Sequence, residues 1–243
     1  MVDRRGSAGI ATFFVDATPA IGTLVALPES AVRHANVRRL EAGDEVRLTD
    51  GAGTVAHGHL RRMDHRAADV EVEQCESMAR PLALTLLVPV ADRDRMLWLA
   101  EKAAELAITD WRPVMYARSR SVSPRGEGAG FARKIAARMA SALEQSGGAW
   151  LPELHGDASL EEAIEACEAA ARFVLDRAGA SLPSFAPFGE TAIVVGPEGG
   201  LESEEIELLL ARRWRSASLG TTTLRFETAG IAAAAVVRAS QAG

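Results

Sequence analysis

An apolar run at residues 82–90, LALTLLVPV, constrains the fold more than any other feature of this 243-residue chain. Both of its alternating faces are apolar, which is typical of a strand buried between two layers. Helical periodicity follows at residues 93–107, and strand-like and helix-like segments then alternate to residue 240. Such alternation predicts a mostly parallel sheet with helices on both faces. The sequence therefore predicts an α/β domain over residues 79–243.

The N-terminal region has a different pattern. Residues 11–78 contain several short strand-like segments and one helix-like segment, SAVRHANVRRL. Asp50 and Gly51 lie between two of the strand-like segments and are typical of a hairpin turn. This pattern predicts a small β-barrel over residues 1–78, joined to the second domain by a linker at residues 77–81.

Composition excludes several classes of protein. Hydrophobic residues make up 48% of the chain and charged residues 25%, which is typical of a globular protein with a packed core. The formal net charge of −6 argues against general nucleic-acid binding, although local basic patches remain compatible with it. No apolar run approaches the roughly 20 residues that span a bilayer, and the N-terminus lacks a signal-peptide core. We therefore expect a cytoplasmic protein.

The cysteines and histidines do not indicate a metal site. The two cysteines, Cys75 and Cys167, lack the spacing of metal ligands, and we expect them to be reduced thiols. His57 and His59 alternate on one predicted strand face, but no third ligand follows at a usual spacing. We therefore expect no bound metal.

A glycine-rich loop follows a predicted strand in AIVVGPEGGLESEEIELLL, residues 192–210. Gly196, Gly199 and Gly200 allow close approach of the backbone to a ligand. The loop carries Glu198 and lacks the Lys-Ser/Thr pair of a phosphate-binding loop. A neutral adenosine or a cation fits it better than a triphosphate, and a tight turn without any ligand is the alternative.

A second segment has the same order of features. SLGTTTLRFETAGIAAAA, residues 218–235, again reads as strand, glycine, polar loop and helix. Ligands of parallel sheets bind at the carboxyl ends of strands, where two neighbouring loops can close on one molecule. The two segments together therefore strengthen the hypothesis of a ligand site.

These two blocks, VGPEGGLESEE and LGTTTLRFETA, resemble the C-terminal signature of the SPOUT-superfamily 16S ribosomal RNA (uracil-N3)-methyltransferases (RsmE type). Upstream, EKAAELAITDWRPVMYARS, ALEQSGGAWLPEL and HANVRRLEAGDEVRLTDGAG are similar to further blocks of that family. The resemblance covers most of the chain. The chain departs from it at Gly148, Thr222 and Thr12, where many members have arginine, and each departure removes a candidate contact to RNA phosphate.

The resemblance implies a fold and a cofactor. The fold is a PUA-like RNA-binding β-barrel followed by a SPOUT α/β domain with a trefoil knot, and true knots are rare among proteins. The cofactor is S-adenosyl-L-methionine, which joins a neutral adenosine to a sulfonium cation. The residues that match the family's cofactor loops are Leu175, Gly196, Glu198, Gly199, Gly200, Leu219, Gly220 and Leu224.

The implied reaction is methyl transfer to N3 of a uracil, a weakly acidic nitrogen that must lose its proton. A positioned base or a cation that stabilises the developing anion assists such a step. Arg225 is the candidate cation. Glu227 either accepts the proton or orients Arg225; alternatively, it only caps the last helix and pairs with Arg225.

The implied partners are the small ribosomal subunit with its 16S ribosomal RNA and a second copy of the chain. Small residues in the last helix, AGIAAAAVV, would permit close approach of a helix from another copy, or they are simply buried within the chain. His34 either contacts RNA or packs against its helix. The candidate phosphate-binding residues are Arg38, Arg39, Arg118, Arg120 and Arg125, and a solvated arginine-rich surface is the alternative for the last three.

Two other functions remain open from the sequence. The first is an RNA-binding protein of this fold without transferase activity, which the missing arginines favour and the intact glycine loops oppose. The second is methylation of another RNA, for example on a ribose of transfer RNA. The segment LRFETA, residues 224–229, and the N-terminal domain argue against it.

Overall fold

The structure is a computed structural model that describes residues 10–121 and 125–241. The chain forms two compact units: Met1–Arg80 with Leu143–Trp150, and Pro81–Ala142 with Leu151–Gly243. Among the described residues, no helix combines the length and the apolar character needed to cross a membrane.

The first unit is built on a five-stranded sheet with the order β1-β3-β4-β5-β2. Its β1–β3 pair is parallel and its other pairs are antiparallel. Alternate side chains of these strands pack with helix α1 into one apolar core. The elements are β1 Ala11–Phe14, β2 Leu24–Ala26, α1 Glu29–Val37, β3 Glu45–Thr49, β4 Thr54–Met63 and β5 Ala68–Ser77.

The first unit also contains Leu143–Trp150, a segment that the sequence analysis assigned to the second domain. The Nε1 of Trp150 donates to the carbonyl of Met78 at 3.1 Å, and its ring packs so closely on Gly53 that a Cβ there would lie 2.3 Å from it. The Glu144 carboxylate accepts the Phe14 N–H at 2.8 Å. These contacts join residues far apart in the sequence, which explains why local patterns predicted a different boundary.

The second unit is a parallel sheet with the strand order β12-β10-β11-β6-β7-β8, and β9 also pairs with β7. Helices and 3₁₀ turns connect the strands. Its strands are β6 Leu84–Pro89, β7 Asp110–Met115, β8 Glu153–Leu154, β9 Ala158–Ser159, β10 Ala171–Ser181, β11 Thr191–Val194 and β12 Arg215–Ser218. Its helices are α2 Arg93–Glu105, α3 Gly128–Ser146, α4 Leu160–Glu165, α5 Ser203–Ala211 and α6 Phe226–Gln241, with α3 ending in the first unit.

Strand β6 is buried along its whole length, as the apolar run predicted. Leu84, Leu86 and Val88 face a core shared with α2, α3 and α6, whereas Leu87 faces a second core that also contains side chains of α4 and α5. Because each face of β6 packs into an apolar core, the run does not alternate between apolar and polar residues. The prediction of an α/β sheet covered on both faces is confirmed.

The small residues of α6 pack inside the chain. Gly230 lies against Leu99 of α2, where an added Cβ would lie 3.1 Å from a leucine methyl carbon, and Ala233 and Ala234 are fully buried. Close approach of α6 to α2 therefore accounts for Gly230. Ala235 of the same helix is exposed, and contact of α6 with another copy stays a prediction.

Candidate active site

The carboxyl ends of β11 and β12 surround a cavity of about 330 Å³, together with residues 174–177 of β10, where the pairing of β10 with β11 ends. Strand β11 lies on one side of β10 and β12 on the other, and all three run parallel. The order of the strands therefore reverses at β10. Such a reversal creates a crevice of the kind in which parallel sheets bind ligands. The cavity volume is within the usual range for small-molecule sites.

Seven of the eight predicted cofactor residues line this cavity. They come from all three strand ends, so the two glycine loops do lie side by side. The seven residues are Leu175, Gly196, Glu198, Gly200, Leu219, Gly220 and Leu224. Gly199 is the exception: it is exposed, and its Cα packs against the Arg118 side chain.

The sequence analysis missed Asp176 and Arg177, which also line the cavity. Leu175 and Ala180 both pair with Ala217, so residues 176–179 bulge out of the β10–β12 ladder. Bulges are common next to functional sites because they redirect side chains. Its position was the signal in the sequence: Asp176 is the polar residue that directly follows the strand-like segment RFVL.

Two of the loop glycines have backbone conformations that glycine favours. Gly200 has φ +73° and Gly220 has φ +144°. A Cβ added at Gly220 would meet no atom within 4 Å, although the residue lines the cavity. A side chain at this position would therefore be strained and would occupy open space that a ligand could use.

The acids of the first glycine loop have partners within the chain. The Glu198 carboxylate pairs with Arg95 of α2. Glu205 accepts the backbone N–H groups of Glu202 at 2.8 Å and of Ala117 at 2.9 Å. These contacts position the start of α5 against the end of β7. They also reduce the repulsion that the loop would exert on an anion.

The two predicted catalytic residues lie in different environments. Arg225 is exposed, between Leu224 and Phe226, which both line the cavity. Glu227 is 6% exposed, and its Oε2 has no hydrogen-bond partner among the described residues. No ion pair joins Glu227 to Arg225 in the described part of the chain. The alternative in which Glu227 simply pairs with Arg225 is therefore not supported.

The predicted RNA-binding residues do not form one cluster. In the first unit, the His34 ring packs edge-on against Phe13 at 5.8 Å, while Arg38 and Arg39 are exposed at the end of α1. The residues of the second unit follow β7. There Arg118 donates to the Gly199 carbonyl at 2.5 Å, Arg125 pairs with Glu127 at 3.1 Å, and the side chain of Arg120 lies outside the described residues.

Arg118 therefore contacts the glycine loop. Its guanidinium also lies 3.7 Å from the Glu202 carboxylate. A substitution at Arg118 would disturb the loop as well as any RNA contact. For this reason Arg118 cannot serve as an isolated probe of RNA binding.

The described residues bring three potential metal ligands together, away from the cavity. Asp110, Glu153 and His155 have ligand atoms within 4.8 Å of one another, and the His155 Nε2 lies 3.1 Å from an Asp110 oxygen. Asp110 begins β7, whereas the cavity lies at the carboxyl ends of its strands. His57 and His59 instead lie near Glu45 and Glu73, at 3.9 and 3.0 Å.

The cavity fits a ligand with an apolar part and a cationic part. Leu175, Leu219 and Leu224 supply apolar walls. The charged residues of the lining are Asp176, Arg177 and Glu198, of which Glu198 pairs with Arg95. Gly220 has no side chain, which leaves open space beside these residues. An adenosine joined to a sulfonium and an amino group can place its apolar part against the leucines and its cationic part near Asp176.

Comparison with known families and proteins agrees with this chemistry. Residues 78–238 match a family model described as RNA methyltransferase domain, and residues 27–73 match one described as RNA methyltransferase PUA domain. Ribosomal RNA small subunit methyltransferase E of Aquifex aeolicus is 28% identical over 225 residues, which cover 89% of this chain and 94% of the relative. The protein of the same name from Synechocystis is 26% identical over 84% of this chain and 68% of the relative.

Solved structures show the same similarity. A ribosomal RNA small subunit methyltransferase E from Neisseria gonorrhoeae, bound to S-adenosyl methionine, is 26% identical and superposes with a TM-score of 0.85, covering 95% of this chain and 97% of that chain. A methyltransferase from Legionella pneumophila, in complex with the bound cofactor SAM, is 25% identical with a TM-score of 0.86 and the same coverage.

Proposed function

The chain belongs to the RNA methyltransferase family, and from this premise we propose that it methylates ribosomal RNA of the small subunit with S-adenosyl-L-methionine as methyl donor. The observation that carries the proposal is the cavity beside β10 in which both glycine loops meet, at the carboxyl ends of β11 and β12. We propose N3 of a uracil as the methylated atom because the signature blocks of the sequence resemble those of uracil-N3 methyltransferases. An enzyme of ribosomal RNA acts where ribosomes are, so the cytoplasm is the proposed compartment.

The cavity residues have separate tasks in holding the cofactor. S-adenosyl-L-methionine supplies an activated methyl group on a sulfonium. Leu175, Leu219 and Leu224 would enclose the adenosine, while the backbone of Gly196 and Gly220 leaves room for its close approach. The Asp176 carboxylate would face the cationic part. Its Oδ1 accepts the Ala178 N–H at 3.0 Å, which holds the carboxylate in place.

Arg225 and Glu227 would assist loss of the uracil proton. Arg225 is exposed beside the cavity, where its permanent cation would stabilise the negative charge that develops on the uracil. Glu227 lies in the first turn of α6, and its buried Oε2, which has no hydrogen-bond partner among the described residues, would accept the proton. Orientation of the two substrates contributes too, since it is worth roughly 7–11 kcal/mol in well-aligned reactions.

The remaining features of the resemblance are proposals of the same kind. We propose a trefoil knot in the second unit, which the positions of the two glycine loops beside β10 support. The five-stranded sheet of the first unit supports a β-barrel. We also propose the boundary near residue 78 as the junction between an RNA-binding and a methyltransferase domain.

Arg39 provides a clean test of RNA binding by the first unit. It follows α1 with φ +58°, a left-handed conformation that strains every residue except glycine. Arg39→Gly therefore removes a cation and relieves strain at the same time. We expect weaker binding to small ribosomal subunits, a log–log salt slope shallower by roughly 0.7–0.9, and an equal or higher melting temperature.

The matched control for Arg39 is Arg33, which lies within α1. Arg33 pairs with Glu29 one turn away, at 2.9 Å. Arg33→Ala should leave subunit affinity and salt slope unchanged in filter-binding titrations from low to high salt. Equal salt slopes for Arg39→Gly and the unmodified chain would remove Arg39 from the RNA interface.

We propose that the protein is a homodimer, on the basis of the family resemblance. Trp98 of α2 is 45% exposed. A large exposed aromatic side chain is typical of an interface. Sedimentation at micromolar concentration should give twice the mass of the chain, and Trp98→Ala should shift the equilibrium towards monomer. A monomer across that range would contradict the proposal.

Methyl transfer by the purified protein tests the proposed function. Tritiated S-adenosyl-L-methionine and small subunits from a strain that lacks the gene are the substrates, and the labelled nucleoside is identified after digestion. Label in 3-methyluridine supports the proposal. Label in a 2′-O-methylated nucleoside would favour the ribose alternative, and RNA binding without transfer would favour the non-catalytic one.

A further inference from the structure

Two oppositely charged residues that are neighbours in the chain, Asp176 and Arg177, both line the cofactor cavity. Successive side chains of a regular strand point to opposite faces of the sheet. Residues 176–179, however, bulge out of the β10–β12 pairing. The bulge therefore allows both charges to reach the same cavity.

Packing and hydrogen bonds hold this bulge against β12. Gly179 lies so close to the strand that an added Cβ would be 2.5 Å from the backbone nitrogen of Ala217. The Asp176 Oδ2 accepts the Ser216 hydroxyl at 3.4 Å, and its Oδ1 accepts the Ala178 N–H at 3.0 Å. The fold therefore fixes the Asp176 carboxylate in the cavity wall before any ligand binds.

Neither charge has an ion-pair partner in the part of the chain that the structure describes. Both donors to Asp176 are neutral, and a carboxylate accepts about four hydrogen bonds, so this one retains the capacity to bind a cation. The Arg177 guanidinium is exposed, and its Nη1 donates to the Thr223 hydroxyl at 3.5 Å. A guanidinium has more donors than this one contact engages.

The charges of the cavity define its ligand further. The remaining acid of the lining, Glu198, pairs with Arg95. The unpaired charges of the described lining are therefore one anion and one cation, side by side. A polyphosphate would need several cations, and Arg177 would repel a ligand with positive charge only. A zwitterion with an amino group and a carboxylate on one carbon atom meets both charges, and the methionine part of S-adenosyl-L-methionine is such a zwitterion.

We propose that Asp176 binds the amino group and Arg177 the carboxylate of the methionine part of S-adenosyl-L-methionine. The planar guanidinium matches a carboxylate with two parallel hydrogen bonds. The leucines of the cavity enclose the adenosine, and contacts at both ends of the cofactor orient the sulfonium that lies between them. This inference rests on the proposed function in taking S-adenosyl-L-methionine as the ligand.

Cofactor analogues that lack one group test the two contacts separately in isothermal titration calorimetry. Arg177→Met removes the guanidinium and should raise the Kd for S-adenosyl-L-methionine about tenfold, the lower end for a hydrogen bond to a charged group, because Arg177 is exposed. The same variant should bind decarboxylated S-adenosylmethionine, which lacks the carboxylate, as tightly as the unmodified chain does. Its melting temperature should not change, since the side chain makes one long hydrogen bond with the described residues.

Asp176→Asn keeps the shape of the side chain and removes its charge. It should raise the Kd for S-adenosyl-L-methionine and for S-adenosylhomocysteine by the same factor, because both carry the amino group and only the first carries a sulfonium. It should leave the affinity for 5′-methylthioadenosine, which has neither charged group, unchanged. Arg213→Met, at an exposed arginine outside the cofactor cavity, controls for the loss of a positive charge and should leave every one of these Kd values unchanged.

Three outcomes would overturn the proposal. Unchanged affinity of Arg177→Met for S-adenosyl-L-methionine would show that this arginine does not bind the cofactor, and weaker subunit binding by the variant would then assign it to RNA. An equal loss for decarboxylated S-adenosylmethionine would show that the effect does not depend on the carboxylate. An Asp176→Asn variant that loses affinity for S-adenosyl-L-methionine but not for S-adenosylhomocysteine would place the sulfonium at Asp176.

These titrations contain no RNA, so they are independent of methyl transfer. A wild-type chain that binds the cofactor without methylating small subunits contradicts the proposed function alone.

Discussion

Gly220→Val is expected to weaken the affinity for S-adenosyl-L-methionine at least 100-fold, which corresponds to about 2.7 kcal/mol. Gly220 has φ +144°, where a β-branched residue is strongly strained, and it lines the cofactor cavity with open space beside its Cα. The valine would therefore either fill the space for the cofactor or move the loop out of place. Isothermal titration calorimetry measures the loss directly.

Gly43→Val is the matched control for strain. Gly43 in the first unit has φ +97° and open space around it, but it lies outside the cofactor cavity. The control should lose stability through backbone strain, by about 1–3 kcal/mol, and keep its cofactor affinity. If Gly220→Val bound the cofactor as tightly as Gly43→Val does, the cavity would not be the cofactor site.

Arg225→Ala is expected to lower methyl transfer at saturating substrates at least 100-fold, or about 2.7 kcal/mol in the barrier. Loss of one group that stabilises a developing anion typically has an effect of this size. Arg225 is exposed and does not line the cofactor cavity, so cofactor affinity and melting temperature should change little. Single-turnover kinetics with tritiated cofactor provide the measurement.

Arg213→Ala is a suitable comparison, since this exposed arginine follows α5 and lies outside the cofactor cavity. It should retain full turnover. A decrease of less than tenfold for Arg225→Ala would exclude the proposed role in anion stabilisation. Glu227→Gln then separates catalysis from helix stability. A large loss of turnover at an unchanged melting temperature indicates proton transfer, whereas a lower melting temperature alone indicates a structural carboxylate.

Local patterns in the sequence predicted much of the second unit. The apolar run forms β6, and a capping box of Ser159 and Glu162, which follow the usual spacing of that motif, begins α4. The two glycine loops were predicted to meet, and their residues line one cavity. These features depend on periodicity, caps and turn residues, which act over a few positions of the chain.

Other features depend on contacts between distant residues, which such patterns do not contain. The contact of Arg118 with Gly199 joins positions 81 residues apart, and it makes Gly199 a packing position rather than part of the cavity wall. The bulge that places Asp176 in the cavity arises from pairing between β10 and β12.

Nucleoside mass spectrometry of ribosomal RNA from a strain that lacks the gene tests the central claim most directly. The account predicts that 3-methyluridine disappears from small-subunit RNA at one position, and that the wild-type gene restores it while the Arg225→Ala gene does not. Small-subunit RNA that keeps its full content of 3-methyluridine in the deletion strain would contradict the account.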